Sequence, residues 1–270
     1  MYVLKDEVPY TMPTCTKFRD PRPWDSGGMY YGRSSAITVS FLTDAEAAAR
    51  MLPEPFKVAD EAVINVSHVV NEDVAWLAGR AYNLVGVDVA AIFDGKVDRD
   101  VRGGFCIVMW ENMTEPILGG RDHSGVPKVF ADIPNPTEKG GSWQAELSHF
   151  GHPIMDLSVT DLAPLGDGRR RELEEARRDS IWMNHKYFPN LENTGADVSY
   201  VAVYPTSGTC TEASEGRGTI RFHRSSFEKN PTQYEVINLL ADLPIHEMRL
   251  ARRHVWEPLM CLDRPPTRLK

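Results

Sequence analysis

No run of apolar residues in the chain approaches the roughly 20 that a membrane-spanning helix needs. The N-terminus carries Lys5, Asp6 and Glu7 and has no apolar stretch, so it does not resemble a secretory signal. Basic excess is also missing: 30 Lys and Arg against 38 Asp and Glu leave a formal charge of −8. A nucleic-acid partner would need the opposite sign to neutralise phosphates. The arginine clusters at 169–171, 177–178 and 252–253 do not supply it, being interleaved with acids. Cysteine is scarce, with Cys15, Cys106, Cys210 and Cys261 scattered and no CxxC pair. That usage fits a reducing cytoplasm better than a disulfide framework. The chain lacks HExxH, P-loop, GxSxG and GxGxxG patterns. His149 and His152 stand close, but no third ligand follows at metal spacing, so neither a metal nor a cofactor is expected. A cytoplasmic protein with no membrane or nucleic-acid partner is the expectation.

What is present is ordinary globular material. The 270 residues are 42% apolar and 25% charged, enough to bury a sizeable core. The first thirty residues are rich in Pro and Gly and predict an extended surface segment, 1–30, on a single domain spanning 1–270. Residues 36–41 alternate, with Ile37, Val39 and Phe41 separated by Thr38 and Ser40, and predict a strand. Thr43 with Glu46 forms a capping-box pattern for a helix running to about Leu52. Further β-like stretches recur at 62–70, 82–93, 104–110, 142–150, 156–162, 198–203 and 218–222, and Asp94 with Gly95 marks a hairpin turn. Amphipathic helices are predicted over 169–183 and 233–240. Strands outnumber helices and do not alternate with them, which predicts an α+β fold with a large, mostly antiparallel sheet and a few flanking helices.

The chemistry concentrates in 115–133, EPILGGRDHSGVPKVFADI. Paired glycines before Arg121, then Gly125 and Pro127, describe a tight loop leading into a strand. Lys128 enters that strand ahead of Val129, Phe130 and Ala131, where apolar surroundings can hold it. Glu115, Pro116, Gly120, Arg121, Asp122, Gly125, Pro127 and Lys128 together resemble the central motif of the acetoacetate decarboxylase superfamily, whose members place an imine-forming lysine at the last position. Looser similarity extends outward to Arg33, the 52–55 LPEP block, the EGRG run at 215–218 and Leu243, Pro244 and Ile245.

The resemblance implies a sheet closing into a barrel-like cavity with Lys128 inside, a small oxo-acid substrate and a homo-oligomer. It makes Lys128 the catalytic residue and Arg33 a substrate-carboxylate contact, a role suited to a bidentate guanidinium; a surface salt bridge is the alternative for Arg33. Met109, Trp110 and Val126 are expected to line the substrate pocket, with core packing as the alternative for Met109 and Trp110. Glu115, Arg121 and Asp122 are expected to buttress the loop. His123 is either a proton carrier near pH 7 or an exposed loop histidine.

An imine-forming amine must be neutral. Lowering a lysine from about 10.4 to about 7 requires about 4.6 kcal/mol of differential stabilisation. Burial can supply about 3–5 pH units. Acetoacetate decarboxylase is itself the standard instance of a lysine activated by its surroundings. Three departures from the family's well-known decarboxylases stand out. Val129 replaces a second lysine, Asp122 replaces a glutamate, and Ser67 and Leu84 fall where strand glutamates are expected, with Glu61, Glu72, Asp73 and Asp88 nearby. Three functions follow from the resemblance: decarboxylation of a 3-oxo acid, pyruvate aldolase-dehydratase chemistry through the same imine, or non-catalytic binding of a keto acid.

Overall fold

The structure is a computed structural model that describes Asp25 and residues 27–270. The expected N-terminal segment therefore lies largely outside the described residues, as does Cys15. Along the chain run β1 (Met29–Leu42), α1 (Ala45–Ala49), β2 (Phe56–Val58), β3 (Val63–Val74), β4 (Arg80–Phe93), β5 (Val101–Glu111) and α2 (Thr114–Gly119). They are followed by β6 (Lys128–Phe130), β7 (Thr137–Lys139), β8 (Ser142–His149), β9 (His152–Pro164) and α3 (Asp167–Asp179). The last elements are β10 (Trp182–Pro189), β11 (Ala196–Val203), β12 (Thr206–Phe222), α4 (Tyr234–Ala241), β13 (Glu247–Cys261) and β14 (Thr267–Leu269).

All fourteen strands of the described residues join one sheet, in the order β14-β11-β10-β5-β4-β3-β1-β13-β12-β9-β8-β7, with β2 on β4 and β6 on β5. The pairings are antiparallel except those that β5 makes with β10 and β6. The fold is α+β, as expected. Barrel closure is corrected, because the path has two ends, and both end strands, β7 and β14, are only three residues long. Such short edges end a sheet without offering a long row of unpaired backbone groups.

The alternation of the strands sets up two faces. On one, Ile37 and Val39 of β1, Ile64 and Val66 of β3, and Val85, Val87 and Val89 of β4 are nearly or wholly sealed in the main core. Each such side chain contributes at most about 1.5–3 kcal/mol by leaving water. On the other face the same strands turn Ala36 and Thr38, Asn65 and Ser67, and Gly86 and Asp88 toward a cavity.

Several local expectations change. The capping box is absent: α1 covers five residues, its N-cap Asp44 makes no side-chain cap bond, and Thr43 Oγ1 is buried without a hydrogen-bond partner among the described residues. The predicted 169–183 helix stops at Asp179, and Trp182 and Met183 instead open β10, paired with Gly104 and Phe105 of β5. The long strand β13 has no predicted counterpart, because its charged residues (Glu247, Arg249, Arg252, Arg253) mask its alternation. The predicted hairpin at Asp94 and Gly95 joins the antiparallel pair β4 and β5. Among the described residues, no helix is long and apolar enough to cross a membrane.

A candidate active site built around Lys128

The segment expected to be a loop is helical over most of its length. After α2, a wide π-helical turn covers Gly120–Ser124, and Gly125 ends it at φ +69°. The Gly125 and Val126 amides donate back to the Arg121 and Gly120 carbonyls at 3.0 and 3.1 Å. A Cβ at Gly125 would lie 2.3 Å from Lys186 Cβ, so both the backbone angle and the space demand glycine. Beyond this turn β6 lies parallel to β5 and sets Lys128 beside Met109.

Lys128 is 11% exposed, and its Nζ donates to Glu111 Oε1 at 2.6 Å and to the Pro116 carbonyl at 3.1 Å. Gly120 makes room for it: a Cβ there would sit 2.3 Å from Lys128 Cε and 2.6 Å from Nζ. Glu111 is fully buried, and its second oxygen, Oε2, has no hydrogen-bond partner among the described residues. Burial raises the Glu111 carboxyl above its ordinary value, and the Lys128 charge only partly offsets this. A largely buried lysine therefore lies in contact with a fully buried carboxyl whose proton affinity is raised.

The cavity beside Lys128 has a volume of about 600 Å³. That is well within the roughly 300–1,000 Å³ of pockets enclosing drug-sized ligands. Tyr31, Trp76, Tyr82 and Trp256 supply aromatic wall. A polar belt crosses it, in which Ser34 Oγ donates to Asn71 Oδ1 at 2.9 Å and Thr38 and Ser67 share a hydrogen bond of 2.9 Å. Asp88 also faces the cavity and accepts the Trp182 indole N–H at 2.5 Å. Burial pushes its carboxyl up to about 6, although the indole bond favours the charged form. His254 lines the cavity as well, held down at about 3 by burial and by the charges of Arg177, Arg252 and Arg253.

The expected site residues divide into those gathered at the cavity and those turned away. Lys128, Met109 and Val126 line it. Trp110 does not: it is fully buried in the main core on the opposite face of β5, where its indole N–H donates to Gln233 Oε1 at 2.7 Å. Arg33 is also turned away, with Nη1 2.7 Å from Glu72 and Nε 2.9 Å from Glu257, while its neighbour Ser34 faces the cavity. Both corrections have one cause, since consecutive strand residues point to opposite faces. Arg121 is exposed and its Nη1 donates to the Lys128 carbonyl at 3.0 Å, tying the turn to β6. Glu115 lies exposed in the first turn of α2, and Asp122 is half-buried in the π-helical turn.

His123 is half-buried rather than exposed, and its carbonyl accepts from Lys186 Nζ at 3.0 Å. Burial lowers its imidazole first, with the Lys186 charge acting in the same direction. His149, one of the two adjacent histidines, is engaged by the Asn230 side chain at 3.1 Å. Among the described residues, no three His, Cys, Asp or Glu side chains group to hold a metal ion.

Glu111 and Arg177 have no counterpart among the expected site residues. The period-two step from Met109 could have flagged Glu111. Arg177 and Asp88 enter the cavity only through packing of elements distant in sequence.

Fold and site together define an α+β cavity protein organised around a largely buried, ion-paired lysine. The acetoacetate decarboxylase family model matches residues 11–255, and the chain belongs to that family. Among solved structures, an acetoacetate decarboxylase superposes with a TM-score of 0.73 at 17% identity, covering 90% of this chain and 89% of that one. The Legionella pneumophila acetoacetate decarboxylase gives 0.71 at 18%, covering 93% and 90%. The enduracididine biosynthesis enzyme MppR, solved with pyruvate, gives 0.64 at 17%, covering 90% of each chain. Comparison with curated proteins finds no significant match.

Proposed function

We propose that this protein is a lyase that forms a Schiff base through Lys128 with an oxo acid, and that its reaction is decarboxylation of a 3-oxo acid. One observation carries the reading: the Lys128 amine lies on the cavity wall with its Nζ 2.6 Å from the buried Glu111 carboxyl. The reactive form of Nζ is the neutral amine: it attacks the substrate carbonyl carbon, and the resulting carbinolamine takes up a proton as water leaves, giving a protonated imine, with Glu111 placed to relay that proton. The bond to the carboxylate then breaks. CO₂ departs, and the electron pair moves into the iminium to form an enamine. Protonation at carbon and hydrolysis of the imine release the ketone and restore Lys128. Asp88, on the same cavity wall with its carboxyl near 6, is suited to deliver the proton at carbon.

A second reading uses the same imine for aldol condensation and dehydration of pyruvate with an aldehyde. Likeness in fold to MppR, solved with pyruvate, favours it. The Ser34, Thr38, Ser67 and Asn71 belt offers groups for an aldehyde oxygen. A cytoplasmic homo-oligomer belongs to the proposal too. Family membership and the free thiols among the described residues, at Cys106, Cys210 and Cys261, support it, and light scattering tests the assembly.

The test of the imine is intact mass after sodium borohydride treatment with acetoacetate, pyruvate and a bulkier 3-oxo acid in turn. We expect a reduced adduct on the wild type that Lys128→Ala lacks. An adduct mass lacking CO₂ indicates decarboxylation, and one retaining pyruvate indicates the second reading. Failure to trap any member of a broad oxo-acid panel removes the imine chemistry and leaves non-catalytic binding.

A further inference from the structure

Two arginines face the cavity, and their environments differ. Arg252 of β13 is neutralised by Glu215, with Nε 2.9 Å and Nη2 2.5 Å from one carboxylate oxygen. Arg177, in the last turn of α3, has no carboxylate within ion-pair reach and no side-chain hydrogen bond among the described residues. Its guanidinium instead lies 4.3 Å from the centroid of the Trp256 ring. Stacking positions the cation but leaves its in-plane N–H donors unused. Two further polar atoms nearby are buried without hydrogen-bond partners among the described residues, Trp256 Nε1 and His254 Nδ1. Buried polar groups are nearly always satisfied, so unsatisfied ones gathered at a cavity call for a ligand. The Cys261 thiol feels both the Arg177 and the Lys128 charge, which puts the two cations in one electrostatic neighbourhood.

We propose that Arg177 is the substrate's carboxylate anchor. It is presented by α3 rather than by the first strand, and it selects oxo acids whose apolar body packs on Trp256 while the carbonyl reaches Lys128. This rests on the oxo-acid reading above and deepens it by naming the group that recognises the acid. The substrate class follows from the wall chemistry. A guanidinium fork matches a carboxylate bidentately. A cavity of about 600 Å³ holding Trp256, Tyr31, Tyr82 and Leu259 suits an acid carrying an aromatic or similarly bulky group. A four-carbon acid leaves most of that space to water. Removal of Arg33 to the opposite face leaves Arg177 as the cavity's one arginine without a carboxylate partner, among the described residues.

The test uses a carboxylate that cannot form an imine, so its result is independent of Lys128 chemistry. Isothermal titration with 3-phenylpropanoate at pH 7.5 is run on the full chain, Arg177→Gln and Arg177→Lys, with 3-phenylpropanamide as the neutral control. Loss of a charge-assisted hydrogen bond predicts weakening of roughly 10- to 100-fold in Arg177→Gln. Arg177→Lys recovers part of it, and amide binding stays unchanged across all three. Melting temperatures confirm that the variants fold, and a variant that does not fold passes its role to the other. Equal carboxylate binding by wild type and Arg177→Gln overturns the assignment, as does a wild type that prefers the amide. Trapping by borohydride in a chain that fails this test retains the imine and discards only the anchor.

Discussion

Asp88 gives the most quantitative consequence of the site. Burial raises its carboxyl from 3.8 to about 6, so the folded state holds the proton more tightly than the unfolded state. The favourable contribution is therefore present at low pH and is lost as pH rises through the interval from about 4 to about 6. Above that interval the folded protein bears the cost of an ionised, partly desolvated carboxylate. The shift converts to about 3 kcal/mol at most. Water entering the cavity that Asp88 faces reduces it from that ceiling. Asp88→Asn keeps an oxygen to accept the Trp182 indole N–H and removes the ionisation. Urea unfolding of both proteins between pH 4 and pH 7 is the assay. The stability of Asp88→Asn relative to wild type should rise by up to about 2 kcal/mol across this range, the variant gaining as pH increases. Each kcal/mol corresponds to roughly 2–4 °C in Tm for a chain of this size. A difference that stays flat with pH, or one that grows in the wild type's favour, refutes the claim that Asp88 is desolvated by its surroundings.

Other consequences are more local. Gly120→Ala puts a methyl 2.3 Å from Lys128 Cε, so it should displace the amine and abolish borohydride trapping, read by intact mass. Gly140→Ala, at φ +60° with open space around it, should cost only about 1 kcal/mol by urea unfolding and leave trapping intact. Arg33 is 37% exposed in its ion pairs, so Arg33→Ala should change stability by about 1 kcal/mol or less and leave adduct yield unchanged. Trp110→Phe removes a fully buried indole and strands Gln233 Oε1. It should cost about 1–3 kcal/mol in unfolding while binding in the cavity is retained.

Much of the fold was legible from local pattern. The alternation of β3 and β4, the hairpin between β4 and β5, and α4 fall close to their predicted spans, because apolar residues at period two or 3.6 leave a readable trace. β13 escaped because its strand carries arginines that face the cavity or ion-pair partners rather than a simple hydrophobic stripe. The turn before Lys128 was read as a loop because its glycines signal tightness without specifying a π-helical geometry.

By itself the sequence determined the family motif, the lysine at its end and the partition of each strand into two sets of side chains. It could not say which set faces the cavity. Period two fixes which residues share a face, but only the packing of one sheet against the rest of the chain decides which face is core. That decision separates Met109 from Trp110 and Ser34 from Arg33. Tertiary structure alone also brought Glu111 against Lys128 and carried Arg177 and Asp88, from α3 and β4, into the same cavity. Charges separated by tens of residues acquire a joint chemistry only once folding has removed the water between them.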